Sequence, residues 1–207
     1  MINVRGKMMN KTFFIAFNKL IAFEGTYSND PDDKGGETYC GISRNNFPNW
    51  IGWIRIDNAK ETKYFLKHLK ADMVIRGYVQ DFYLNEFWLK MNCDVLPDKI
   101  AEELFELSVN CGIRRATIIL QTALNVLNNN PKRYEDIRTD GKFGNQTLAT
   151  LQRALENVSN TCAEHSRSKL IFNVINILQG CFYIELMINN PVYEKYIGWF
   201  NRVEIIK

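Results

Sequence analysis

Apolar residues recur at helical spacing along almost the whole chain, and one long polar stretch interrupts them. Between Lys11 and Phe23, residues Phe13, Phe17, Leu20 and Ile21 keep to one side of a 3.6-residue period, with Phe14 and Phe23 less regular. An amphipathic helix is expected there, stopped by Gly25. From Thr26 to Asn49 the periodicity is lost, and turn-forming residues suit a small hairpin or turns better than a helix. Helical texture resumes near Asp57, a candidate N-cap, and runs toward Trp88 through Phe65, Leu66, Leu69, Met73, Tyr78 and Phe82, with Gly77 as a dividing point. Pro97 and Asp98 open a helix that keeps Ile100, Leu104, Phe105 and Val109 on one side and ends at Asn110-Cys111-Gly112. Another runs from Arg114 to Leu127 on Ala116, Leu120, Ala123 and Leu124, before the breaker at Asn128 to Pro131. The turn Asp140-Gly141-Lys142-Phe143-Gly144 leads into a helix that points Leu148, Leu151 and Leu155 inward. The segment from Ala163 to Ile188 has the length and apolar density of a central buried helix, with Leu170, Ile171, Val174, Leu178 and Tyr183 as core candidates. Asn189-Asn190-Pro191 stops it, and an aromatic segment from Tyr193 to Val203 follows. The expected class is therefore mainly α, without internal repeats or a flexible Gly/Ser linker.

Composition narrows the function classes. With 207 residues and 46% hydrophobic content the chain can bury a real core, which excludes disorder. The net charge of +3 comes from basic residues spread along the chain rather than gathered in a stripe, so no nucleic acid is expected as a partner. Five cysteines, at 40, 93, 111, 162 and 181, form no C-x-x-C pair and read as small, buried, reduced side chains, not as a zinc site or a disulfide framework. The acidic group Asp30, Asp32, Asp33 and Glu37 fails the EF-hand pattern, because Lys34 and Gly41 stand where ligands are needed. No metal is expected. Near the N-terminus, Lys7 and Lys11 precede the apolar run Phe13 to Phe17, but Asn18 and Lys19 end it short of the roughly 7 to 15 apolar residues of a secretory core. No other stretch reads as a span of about 20 apolar residues. The expectation is cytoplasmic synthesis without a signal peptide, and no stable membrane insertion.

Glu24 carries the chemistry of greatest interest. Hydrolysis of a glycosidic bond needs a carboxyl group kept protonated near neutral pH, together with a second group that manages water or the oxocarbenium charge. Glu24 follows Phe23 at the end of an apolar helix, where desolvation and the negative end of the helix dipole both favour the protonated form. Asp33 lies nine residues further on, and Thr38, whose hydroxyl can orient a water molecule, five beyond that. Their separation decides between inversion, at about 6.5 to 9.5 Å, and retention, at about 5 to 5.5 Å. Taken singly, each has an ordinary reading: a solvated charge for Glu24, a turn residue for Asp33, a hydroxyl satisfying loop backbone for Thr38. Tyr27, Tyr39, Trp50 and Trp53 surround the stretch, and one or two of them are expected to stack on a sugar ring. His68 and His165 stand alone in helical contexts and read as surface or packing residues.

The string Glu24-Gly25-Thr26-Tyr27-Ser28-Asn29-Asp30-Pro31-Asp32-Asp33-Lys34-Gly35-Gly36-Glu37-Thr38-Tyr39-Cys40-Gly41-Ile42-Ser43 resembles the signature of glycoside hydrolase family 108, whose members are N-acetylmuramidases, some labelled putative secretion activator proteins. The Glu, Asp, Thr order is also similar to the catalytic triad of phage-type lysozymes. Leu104 to Gly112, Ala116 to Leu124, Asp140-Gly141 with Gly144 and Thr147-Leu148, and Gly198-Trp199-Phe200-Asn201-Arg202 resemble the family's C-terminal region, described as a predicted peptidoglycan-binding domain. The resemblance implies a lysozyme-like helical fold with a loop-walled cleft, a catalytic region over residues 1–97 and a helical peptidoglycan-binding region over 98–207 packed against it. It implies Glu24 as acid, Asp33 as the water-directing or charge-stabilising carboxylate, and Thr38 as a helper; Tyr27, Tyr39 and Asn110 are the expected substrate contacts. The implied reaction, which needs no cofactor, is cleavage of the β-1,4 bond from N-acetylmuramic acid to N-acetylglucosamine in peptidoglycan glycan strands at the bacterial wall or periplasm, reached through a holin or an export factor. The competing expectation is a non-catalytic peptidoglycan-binding or secretion-assisting protein on the same fold. One departure stands out: the family usually has two glycines after the acid, and this chain has Gly25-Thr26. A threonine at the second position either changes the backbone, if positive φ is required there, or narrows the cleft.

Overall fold

The computed structural model describes residues 10–23, 26–30, 35–129, 133–156 and 163–206. The chain divides into two compact units, Met1–Phe87 and Trp88–Lys207. As the sequence predicts, the fold is mainly α and lysozyme-like, with one small sheet.

The first unit begins with α1 (Lys11–Phe23), capped by Asn10, whose Oδ1 accepts from the Thr12 amide at 2.8 Å. Its buried side holds Phe13, Ala16, Phe17 and Leu20, the i, i+3, i+4, i+7 set of an amphipathic helix. Each such buried aromatic contributes about 1.5–3 kcal/mol. The irregular stretch folds into three two-residue strands, β1 (Tyr27–Ser28), β2 (Thr38–Tyr39) and β3 (Ile42–Ser43), paired antiparallel in that order. Between β2 and β3, Cys40 and Gly41 take φ of 47° and 78°. Positive φ at both central residues is what a tight two-residue hairpin needs to match the strand twist. Cys40 bears the strain of a non-glycine residue there, and its carbonyl accepts from the Tyr83 hydroxyl at 2.8 Å.

Three helices complete this unit: α2 (Gly52–Lys60), α3 (Phe65–Ala71) and α4 (Met73–Tyr83), the last continuing into a π-helical turn, Leu84–Trp88. Trp53, Ile56, Leu69, Ile75, Val79, Phe82 and Tyr83 form the core they share. Two expectations need correction. Asp57 is not an N-cap: α2 starts earlier, and the Asp57 carboxylate is held at mid-helix by Arg44 at 2.6 Å. Nor does Gly77 divide the helices, since it lies inside α4. The break falls at Asp72, whose Oδ1 accepts from the amides of Val74 and Ile75 at 2.9 and 3.2 Å and so caps α4. His68 is on the surface, 2.9 Å from the Thr62 hydroxyl.

The second unit is built on α5 (Asp98–Cys111), α6 (Ile113–Leu127), α7 (Asn145–Leu155) and α8 (Ala163–Asn189), followed by a 3-10 segment, Pro191–Arg202. Gly112, at φ 83°, turns α5 into α6, where the sequence predicts a stop. Ile100, Leu104 and Phe105 of α5, Ala116, Leu120 and Leu124 of α6, and Ile171, Ile175 and Tyr183 of α8 are buried. Gln121 organises the 140–144 turn: its Nε2 donates to Asp140 Oδ1 at 3.1 Å and to the Thr147 hydroxyl at 3.1 Å, while its Oε1 accepts from the Gly141 amide at 3.0 Å. A polar layer lies between α5 and α8. Asn176 accepts there from the Glu204 amide at 2.6 Å, and Asn173 both donates to and accepts from the Ile206 backbone at 2.9 Å, so residues 204–206 run along α8. Glu103 faces this layer; burial, then the like charges of Glu106 and Glu204, push its carboxyl up to about 8 against a hydrogen bond with Asn176.

The α8 helix departs from its expected role. Leu170, expected in the core, is exposed, and the Arg167–Asn189 stretch, long and apolar enough to cross a membrane by length and composition, is only one-third buried. The cysteines also depart in part: Cys40 and Cys93 are buried, Cys111 half-buried and Cys181 exposed, while Cys162 lies outside the described residues.

Candidate active site

Glu24 and Asp33, the expected acid and its partner, lie outside the described residues. What the structure describes is the frame on both sides of each. After α1 and residues 24–25, Thr26 enters the sheet, its carbonyl accepting from the Cys40 amide at 2.9 Å.

In the β1–β2 hairpin Ser28 faces Thr38 and Tyr27 faces Tyr39, so the connection 29–37, which contains Asp33 in sequence, is closed at its base by the ladder. Three further ties hold its returning arm. The Ser43 hydroxyl donates to the Gly35 carbonyl at 2.6 Å, and the Arg44 amide donates to the Glu37 carbonyl at 2.7 Å. Gly36 takes φ 64°, a backbone conformation that favours glycine. Thr38 is half-buried, and its hydroxyl donates to the Gly36 carbonyl at 3.1 Å. Its oxygen keeps acceptor capacity for a water molecule.

The third tie is ionic and has no signature in the sequence. Glu37 is buried, with Oε2 at 2.8 Å from Arg44 Nη1 and Oε1 at 2.5 Å from Lys60 Nζ. Arg44 also reaches Asp57 at 2.6 Å, and its guanidinium lies 4.6 Å from the centre of the Trp53 ring. The Arg44 hydrogen bond holds the Asp57 carboxyl below its ordinary range. Tyr27 is half-buried beside this cluster: burial, then a hydrogen bond with Glu37, raises its hydroxyl pKa, and its ring meets Phe65 edge-on at 5.1 Å. The residues of the cluster come from the position just before β2, the turn after β3, and α2, so no helical or strand period links them.

The other expected substrate contacts are dispersed. Tyr39 is buried, its ring stacked on Trp50 at 6.3 Å and its hydroxyl donating to the Leu69 carbonyl at 3.4 Å. Trp53 is buried too, its Nε1 donating to the Phe47 carbonyl at 2.8 Å, while Trp50 is half-buried. Tyr27 and Trp50 are thus the two of the four aromatics open to a ligand. Asn110 belongs to the second unit, at the end of α5; its oxygen accepts from Arg202 Nη1 and Nε at 3.1 and 3.2 Å, and Arg202 also binds Glu106 at 3.1 Å. It anchors the 3-10 segment to α5.

Residues 17–112 match the family model described as Glycosyl hydrolase 108, and residues 115–204 match the one described as Predicted Peptidoglycan domain. Among solved structures, SagA of Brucella abortus is similar in fold, with a TM-score of 0.56 and 21% identity over 93% of this chain and 89% of that chain. No curated protein matches the chain.

Proposed function

Because the chain belongs to the glycosyl hydrolase 108 family and carries a predicted peptidoglycan domain, we propose that it is an N-acetylmuramidase with Glu24 as its general acid. Family membership makes it a glycoside hydrolase of peptidoglycan. The bond, the residues and the cellular site are our reading: the β-1,4 bond from N-acetylmuramic acid to N-acetylglucosamine, cleaved at the bacterial wall. Glu24 gives its proton to the glycosidic oxygen as the C1–O bond breaks. Asp33 stabilises the oxocarbenium charge or directs the water that completes the product, and Thr38 helps to orient that water. Tyr27 offers its ring to the glycan.

The observation that supports this most is the tied hairpin. A carboxylate acts on an oxocarbenium ion only when held in place, and the described ends of the connection, Ser28 on one side and Gly36 to Thr38 on the other, are tied by the Ser28–Thr38 pair and the Glu37 ion cluster. The test is dye release from purified peptidoglycan by the native chain and by Glu24→Gln, whose amide has no proton to give. Clearing by the native chain, nearly none by the variant, and new reducing ends on muramic acid are expected. Reducing ends on glucosamine would overturn the bond assignment, and full activity of the variant would overturn the role of Glu24. Wall binding without any clearing by the native chain would instead favour a non-catalytic binder.

A further inference from the structure

The α8 helix has two apolar sides, and only one is used within its unit. Ile171, Phe172, Ile175 and Tyr183 pack inward. On the other side, Leu170, Val174, Ile177, Cys181, Ile184 and Ile188 alternate in steps of four and three residues, the a/d repeat of two paired helices. Leu170 is 46% exposed, Ile177 52%, Ile184 48% and Ile188 76%; Cys181 is exposed and Val174 half-buried.

We propose that a second copy of this chain docks antiparallel along this seam. The repeat is self-complementary under a two-fold axis: pairing Leu170 with Ile188 of the partner also pairs Val174 with Ile184 and Ile177 with Cys181, so all six positions fill layers with none left over. The seam is about 27 Å long. Two copies bury roughly 1,000 Å² along it, the lower bound for a specific interface. Charge selects the direction. Lys169, and Arg167 with one nitrogen on the Ala154 carbonyl, lie at one end, and Glu185 and Glu194 against a single Lys195 at the other, so antiparallel docking sets net opposite charges and opposed helix dipoles side by side, whereas parallel docking sets like against like. The inward face explains why a second helix, not a bilayer, is the fitting occupant: Asn176 and Gln179 are buried there, and Asn173 and Asn176 hold the 204–206 backbone, so α8 cannot leave its unit to span a membrane.

The inference is independent of the catalytic reading, and its test uses no activity. Sedimentation of the full chain should show a concentration-dependent dimer. Ile177→Glu, at a solvent-facing position, should keep the native melting curve and weaken the dimer about a hundredfold, tenfold for each buried charge. Independently, a V174C/I184C double variant in a C181S background carries thiols about 15 Å apart along one helix, beyond disulfide reach within a copy. Mild oxidation should join position 174 of one copy to 184 of the other. A native chain that stays monomeric at the highest attainable concentration overturns the proposal, as do a dimer indifferent to Ile177→Glu and a 174-to-174 crosslink. Binding of the monomer to phosphatidylglycerol vesicles, lost in Ile177→Glu, would reassign the seam to a lipid surface.

Discussion

Glu103 gives the second unit a measurable pH dependence. It is buried, with a carboxyl raised from an ordinary 4.5 to about 8. A group whose folded pKa lies above its unfolded one favours the native state fully below the unfolded value. That advantage is lost as pH rises toward the folded value, because the unfolded chain ionises freely and the folded one resists. A tenfold difference in an ionisation equilibrium corresponds to about 1.4 kcal/mol, so the window from 4.5 to about 8 spans about 5 kcal/mol, of which about 3 falls between pH 5 and pH 8. Glu103→Gln keeps the shape and the capacity to bond Asn176 but cannot ionise. The assay is urea unfolding of both proteins at pH 5, 6.5 and 8, read at the amides of α5 by hydrogen exchange so that the second unit is followed by itself. With a slope of about 1–3 kcal/mol per molar urea, the native midpoint should fall by about 1 M or more across the range. The variant should change far less and be the more stable protein at pH 8. Parallel pH profiles for the two would refute the reasoning, and so would a variant weaker than native at pH 8, since that would mean Glu103 is ionised and paired.

Two further outcomes follow from the hairpin. Glu37→Gln removes the charge between Arg44 and Lys60; both keep Asp57 as a partner and are about a third exposed, so the cost should be about 1–2 kcal/mol in urea unfolding of the first unit. A loss below about 0.5 kcal/mol, the scale of an ordinary surface change, would show that the cluster does not hold the connection. Tyr83→Phe takes the phenol donor away from the buried Cys40 carbonyl and should cost about 1–2 kcal/mol. At about 4–8 °C per kcal/mol for a unit of this size, differential scanning calorimetry should resolve the drop, and an unchanged transition temperature would mean that another donor replaces the phenol.

Much of the helical frame was legible because its signals are local. Gly112 ends α5, and its positive φ is a property of the residue itself. The loss of period after Thr26 correctly marked turns and a small hairpin, although two-residue strands carry no alternation from which to read a register. Asp57 and Asp72 show where local reasoning stops. Each binds an arginine, Arg44 and Arg55, at 2.6 Å, but α2 begins five residues before Asp57, whereas Asp72 stands between α3 and α4 with its second oxygen on the amides of α4. In α8 the period gave the helix but not its inward face, because apolar residues occupy two sides and the choice belongs to α5 and α6. At the site, the roles of Glu24 and Asp33 rest on a long string of residues, not on local physics. Glu37 had no signal at all: its partners lie on other elements, and an isolated Glu reads as a solvated charge.

The Tyr83 bond to the Cys40 carbonyl has a consequence in time as well as in stability. The Cys40–Gly41 turn involves neighbours in sequence and can close on the order of microseconds, whereas Tyr83 is 43 residues away and arrives only when α4 docks. A bond of this kind belongs to the late, downhill side of folding. Its removal by Tyr83→Phe should therefore speed unfolding and leave the refolding rate nearly unchanged. The Cys40–Gly41 turn is thus latched from outside the sheet, by a helix that must find its place before the bond can close.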